Sequence, residues 1–259
     1  MKHLLLLLFF ISSTSLAQVS VSPEFPTADE EITIVYDAMQ GTSALEGAAK
    51  VLMHAGAILS GPGATSWENV QGNWGDPGSV GAMTSLGGNK WQIKITPRSY
   101  FNVPNGTRIY RIGMVFRSAG PCGGFAGNNT PCKEGKSPTN GDIFIDLFEG
   151  NSLQIKLTEP AQFPLFLNPG ESLSIEAAIS KPSHVILTID GVDVLDELDI
   201  TSLVYNHITT SNPITGQVVI WADDGTETKE TSFNYIVRSS VVNASRPPDI
   251  RPGITYTSE

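Results

Sequence analysis

Apolar residues alternate with polar ones along most of the chain. Ile32, Ile34 and Tyr36 share one face of a short segment, and Trp91, Ile93 and Ile95 share another, with Gln92 and Lys94 opposite. Tyr110, Ile112, Met114 and Phe116 form a third face, and Ile143, Ile145 and Leu147 a fourth. A period of two puts successive side chains on opposite sides of a strand, so these segments predict half-buried β-strands. Gly, Pro and Asn cluster at 60–63, 87–89 and 104–106 and punctuate the strands with turns. No long 3.6-residue apolar pattern appears. Half-buried strands need a second sheet over their apolar face, which predicts a β-sandwich over residues 18–150.

The texture changes near Glu149-Gly150-Asn151. Leu153, Ile155 and Leu157 alternate, followed by Leu173, Ile175, Ala177 and Ile179. Further strands are expected over 185–189, 217–222 and 232–237, with turns at Asn168-Pro169-Gly170, Asp190-Gly191 and Asp223-Asp224-Gly225. This spacing predicts an immunoglobulin-like sandwich over 151–238. The fold class expected is therefore all-β, with two tandem sandwiches. From 239 to 259 the run Arg246-Pro247-Pro248-Asp249-Ile250-Arg251-Pro252-Gly253 reads as an extended linker. A further C-terminal portion is expected beyond it.

The first residues bear on the compartment. Lys2 and His3 precede a short apolar run, Leu4 to Ile11, and small residues follow at Ser15 and Ala17. This is the pattern of a secretory signal peptide, residues 1–17, cut after Ala17. The run is too short to span a bilayer, which takes about 20 residues, and no later segment is long and apolar enough. A secreted, surface or periplasmic protein without membrane insertion is expected. Charged residues make up only 16% of the chain, against roughly 25% in ordinary proteins, which argues against disorder. The formal net charge of −10 argues against nucleic acid as a partner, because phosphate contact needs clustered Lys and Arg.

Few residues offer chemistry. Cys122 and Cys132 bracket one Gly-rich loop, and in a secreted chain a disulfide is the first expectation. It would staple a loop that could not hold one shape alone. No histidine lies nearby to make a metal site, and neither metal nor cofactor is expected. There is no Gly-x-Ser-x-Gly elbow and no His-Glu-x-x-His motif. Asp190, Asp193, Asp196 and Asp199 recur every three residues, but the spacing matches no calcium loop. A solvated acidic loop is expected there. Trp67 and Trp74 stand in a polar, turn-rich stretch, which is unusual for a side chain normally buried. A flat indole can stack on the C–H face of a sugar while polar neighbours bond its hydroxyls, and His54 could supply one such contact. The other reading is that both tryptophans plug the sandwich and His54 is an ordinary strand residue. Trp91 and Trp221 sit in strand patterns and read as core.

Several segments carry a resemblance: Pro23 to Ile34, Val51-Leu52-Met53-His54, Trp67 to Trp74, Ile95 to Tyr100, Tyr110 to Arg117 and Asp142 to Asp146. Together they resemble the N-terminal accessory region of secreted α-amylase-family glycosidases from Bacteroidetes-type bacteria. The second segment resembles the immunoglobulin-like module that follows in those proteins, and 246–256 resembles the junction to their catalytic portion. The family's catalytic barrel has no counterpart in these residues, so its activity is not carried over to this chain. The first segment is also distantly similar to starch-binding sandwich modules. In those, a strand His or Tyr and tryptophans on following loops form the sugar platform, an order that His54, Trp67 and Trp74 match. The disulfide loop and Asn140-Gly141-Asp142 fall where such modules complete the site, but Phe125 stands in place of the expected Trp.

The resemblance implies a non-catalytic α-glucan-binding (starch-binding) region, with a C-terminal catalytic domain in the parent protein. The alternative is a structural spacer or adhesion module of tandem sandwiches without a ligand. A free-standing hydrolase is the third reading.

Overall fold

The computed structural model describes residues 18–161, 163–210 and 212–239. The expected export signal at 1–17, and the expected linker beyond Ser239, lie outside the described residues. Among the described residues nearly all of the regular secondary structure is β-strand. It divides into two compact units, one up to Asn151 and one from Ser152.

The first unit is a sandwich of two antiparallel sheets. One contains β1 (Val19–Ser22), β2 (Ile32–Asp37), β5 (Thr84–Gly87) and β6 (Lys90–Ile95), in the order β1-β2-β6-β5. The other contains β3 (Val51–Ile58), β4 (Glu68–Gln71), β7 (Arg111–Ser118), β8 (Glu134–Gly135) and β9 (Ile143–Asp146). Its order is β4-β3-β7-β8, with β9 also paired to β7. The alternating faces read from the sequence meet in one core. Ile32, Ile34, Tyr36 and Trp91 come from the first sheet, and Met53, Ala55, Ile112, Met114, Phe116 and Ile145 from the second. Tyr36 and Phe116 stack across the two layers with ring centroids 3.9 Å apart. Inward residues of β3 and β7 being odd and even respectively, the outward positions are Leu52, His54, Gly56 and Ile58 on β3 and Arg111, Gly113, Val115 and Arg117 on β7.

The second unit is a single six-stranded sheet around its own core. β12 (Ser172–Ile189) pairs with β10 (Ile155–Glu159) over its first half and with β14 (Ile214–Asp223) over its second, while β13 (Val192–Ile208) runs along its other side. β15 (Thr228–Val237) continues the sheet to β11 (Leu165–Leu167), which lies parallel to it. The ladder between β12 and β13 loses register between Ala178 and Ser183, around Pro182, which has no N–H to donate. Residues from both halves of β12, such as Ile175 and Leu187, share one core with Tyr235 and Val237 of β15. The sheet thus covers its own apolar face, as a sandwich does with two sheets.

Two expectations fail in this unit. The aspartates do not form a loop: Asp193, Asp196 and Asp199 lie on β13, a 17-residue strand, with only Asp190 in the turn before it. Asp190 and Gly191 have φ of 52° and 80°, the pair of left-handed residues that a two-residue hairpin needs. The acids face solvent on a strand that, among the described residues, pairs only with β12, where charge discourages edge-to-edge pairing with other chains. Trp221 is not core either. Val218, Ile220 and Ala222 of β14 point into the core, so Trp221 points away from it.

Candidate functional site

The outer face of the β4-β3-β7-β8 sheet brings the three residues singled out in the sequence together. His54 projects from β3. Its ring lies 5.9 Å from that of Trp67, tilted by 44°, and 5.2 Å from that of Trp74, edge-on at 72°. None of the three belongs to the core; each is half-buried. They line an open concavity of about 300 Å³ with Val115, Glu134, Lys136 and Asp142.

Local sequence explains how each ring gets there. Trp67 directly precedes β4, which pairs with β3 so that Glu68 lies opposite Ala57. This delivers the indole onto the outer face. Gly56 and Gly113 are register partners on β3 and β7, and together they clear a bed for it. A Cβ added to Gly56 would lie 2.9 Å from Trp67 Cβ, and one added to Gly113 would lie 2.8 Å from Trp67 Cδ1 and closer still to Nε1. Both distances fall short of the ~3.5 Å at which carbon atoms meet comfortably. The bed has a cost: Trp67 Nε1 is buried with no hydrogen-bond partner among the described residues. An unmet buried donor costs about 1–3 kcal/mol, and natural chains tend to keep such local conflicts at functional sites.

Trp74 sits in the turn after β4, held from two sides. Arg117 on β7 donates Nη2–H to the carbonyls of Asp76 at 2.7 Å and Asn73 at 3.4 Å. Its guanidinium stands 5.9 Å from the Trp74 ring, within cation–π range. From the other side, the Cys122–Cys132 disulfide closes its loop, and the Cys122 N–H donates to Gly75 O at 3.2 Å. Gly123 follows in the same loop, and a Cβ there would lie 2.6 Å from Trp74 Nε1. The disulfide expected between Cys122 and Cys132 is present, and it braces the turn that carries Trp74. Phe125 packs against Gly75 from the same loop and does not line the concavity.

The rim is polar and mixed in charge. Lys136 pairs with Glu134 at 2.7 Å, and Asp142 is exposed beside β9. Burial lowers the His54 pKa, the Arg117 charge lowers it further, and a hydrogen bond to the Gln71 backbone works the other way. The imidazole is therefore neutral near pH 7, with a nitrogen able to accept. Neutral imidazole, two indoles and a polar rim of mixed charge suit an uncharged, hydroxyl-rich ligand. Among the described residues no cluster of His, Cys, Asp and Glu could hold a metal ion.

The sequence reading had His54, Trp67, Trp74 and Asp142 but missed Glu134, Lys136, Val115, Arg117 and the glycine bed. Gly56 and Gly113 did leave a signal. Each interrupts an otherwise apolar strand, which marks a close approach of another group.

Residues 19–120 match the sequence profile of a family described as a domain of unknown function, DUF8578. No curated protein matches the chain. Among solved structures, the chain is similar to the fibronectin(III)-like modules of Clostridium thermocellum CbhA. That likeness has 22% identity, covers 34% of this chain and 99% of that one, and has a TM-score of 0.27. A titin A168–A169 structure is similar at 14% identity, over 83% of this chain and 93% of that one, with a TM-score of 0.28. An amphioxus IgVJ-C2 molecule is similar at 11% identity, over 82% and 98%, with a TM-score of 0.23. At these TM-scores the likenesses carry no functional argument, and the site has to be read from its own geometry.

Proposed function

We propose that the first unit is a non-catalytic carbohydrate-binding module for α-glucan, carried by a secreted glycosidase of the α-amylase family. The observation that supports it is the meeting of Trp67, Trp74 and His54 in one open concavity with a polar rim. In this reading a sugar ring lays its C–H face on an indole, while His54, Glu134, Lys136 and Asp142 bond its hydroxyls. The half-buried rings make the platform pre-formed, so little ordering is needed on binding. The disulfide fits an oxidising, extracytoplasmic compartment. The resemblance to glycosidase accessory regions supplies the ligand class and the parent enzyme.

Retention on insoluble starch tests the reading. The parent chain should be retained and Trp67→Ala should wash through. Equal retention of both would sink the site assignment, and failure of the parent to bind would leave the spacer reading in its place.

A further inference from the structure

We propose that the second unit carries a separate sugar-binding surface, centred on Trp221, on the outer face of its sheet. That surface rests on observations independent of the first unit; the choice of an α-glucan as its ligand rests on the function proposed above.

Strand register builds the surface. Asp196 on β13 lies opposite Ile186 on β12, Ile186 opposite Trp221 on β14, and Trp221 opposite Glu230 on β15. Direct partners share a face, so these four side chains form one row across four strands. At about 4.8 Å per strand the row spans roughly 14 Å. Its centre is apolar and its two ends are carboxylates. The adjacent row runs Asp193, Thr188, Val219 and Ser232, and Thr188 donates its hydroxyl to Asp193 at 2.8 Å.

His184 completes the arrangement. Its ring stands edge-on to Trp221 at 5.6 Å and 89°, and its Nε2 is held by Asp196 at 2.6 Å. In the first unit His54 meets Trp74 edge-on at 5.2 Å and 72°. Both units thus present similar chemistry outside their cores: an indole, an imidazole in T-shaped contact with it and carboxylates nearby. An indole beside an isoleucine offers the flat apolar seat that a pyranose C–H face needs. The carboxylates at both ends accept from hydroxyls, and they repel anionic ligands.

The chain has four tryptophans, so its indole N–H signals in a nitrogen-15 NMR spectrum can be assigned by single Trp→Phe substitutions. The experiment titrates maltoheptaose into the full chain. Trp91 lies in the core and serves as the unmoving reference. A saturable shift of the Trp221 signal, half-complete on the order of 1 mM, supports the surface. Movement of Trp67 and Trp74 with Trp221 still overturns it and leaves the first site standing. Movement of Trp221 alone supports it and overturns the first site. If all four signals stay still, both fail. A shift of Trp221 with arginine methyl ester but not with the sugar also overturns the proposal, since the seat would then take a cation.

Discussion

Gly113→Ala probes the bed under Trp67 with a single methyl group. Gly113 lies in the middle of β7 with a φ outside the left-handed region, so alanine fits the backbone. The added Cβ would lie 2.8 Å from Trp67 Cδ1 and nearer to Nε1, against a comfortable ~3.5–4.0 Å. The indole must therefore lift or slide by close to an ångström. Crowding of this kind costs about 1–3 kcal/mol, and the lower chain entropy of alanine returns about 0.4–1 kcal/mol. A net loss of about 1–2 kcal/mol is expected, which is a few degrees in Tm. Ligand affinity should fall more than stability suggests, by roughly tenfold or about 1.4 kcal/mol, because the stacking face is displaced from His54. Calorimetric titration with maltoheptaose and a thermal melt read the two quantities separately. Unchanged affinity, with unchanged Trp67 fluorescence, would refute the claim that the glycine pair sets the position of Trp67.

Three further outcomes are expected. Replacing both Cys122 and Cys132 by Ala should cost about 2–3 kcal/mol in urea unfolding, the range for closing a loop of roughly this length, and should weaken glucan binding because Gly123 no longer braces Trp74. His54 has a lowered pKa in the fold, so the unfolded chain takes up the proton more readily. The stability of the first unit is then full above pH ~6.5 and declines as pH falls below it. His54→Gln should flatten that decline between pH 7 and 5, while the lowered pKa of Asp29 beside Arg98 acts only in the more acidic range. In the second unit, buried Tyr235 donates its hydroxyl to Asp190 Oδ2 at 2.7 Å, and Asp190 Oδ1 accepts from the Gln217 N–H at 2.8 Å. Tyr235→Phe should destabilise that unit by about 1.5 kcal/mol, read by denaturant titration; no change would show that solvent replaces the bond.

The first unit was legible because its strands keep a strict period of two. Ile32, Ile34, Trp91, Ile95, Ile112 and Phe116 all reach the core that their alternation implied. β13 was not legible, because its apolar residues change phase where the ladder slips against β12, and its aspartates look like loop residues. They occupy an edge strand, where burial asks little of one face and charge is useful. Trp221 is illegible for a related reason: alternation along β14 defines two faces, and only the core positions of Val218 and Ile220 show that the face without Trp221 is the inner one. At the site, residue types pointed to His54 and the two tryptophans. Glu134 opens a two-residue strand, Glu134–Gly135, and Lys136 follows it directly; the pairing of that strand with Arg117 and Phe116 is a tertiary fact that local pattern does not carry.

The central claim is that Trp67, Trp74 and His54 form a sugar platform, and a calorimetric titration of the full chain with maltoheptaose tests it most directly. The account predicts a Kd on the order of 0.1–1 mM, about −4 to −5.5 kcal/mol, and loss of the signal contributed by the first unit in Trp67→Ala. Absence of binding at millimolar sugar, or a Trp67→Ala variant that binds as the parent does, would contradict it.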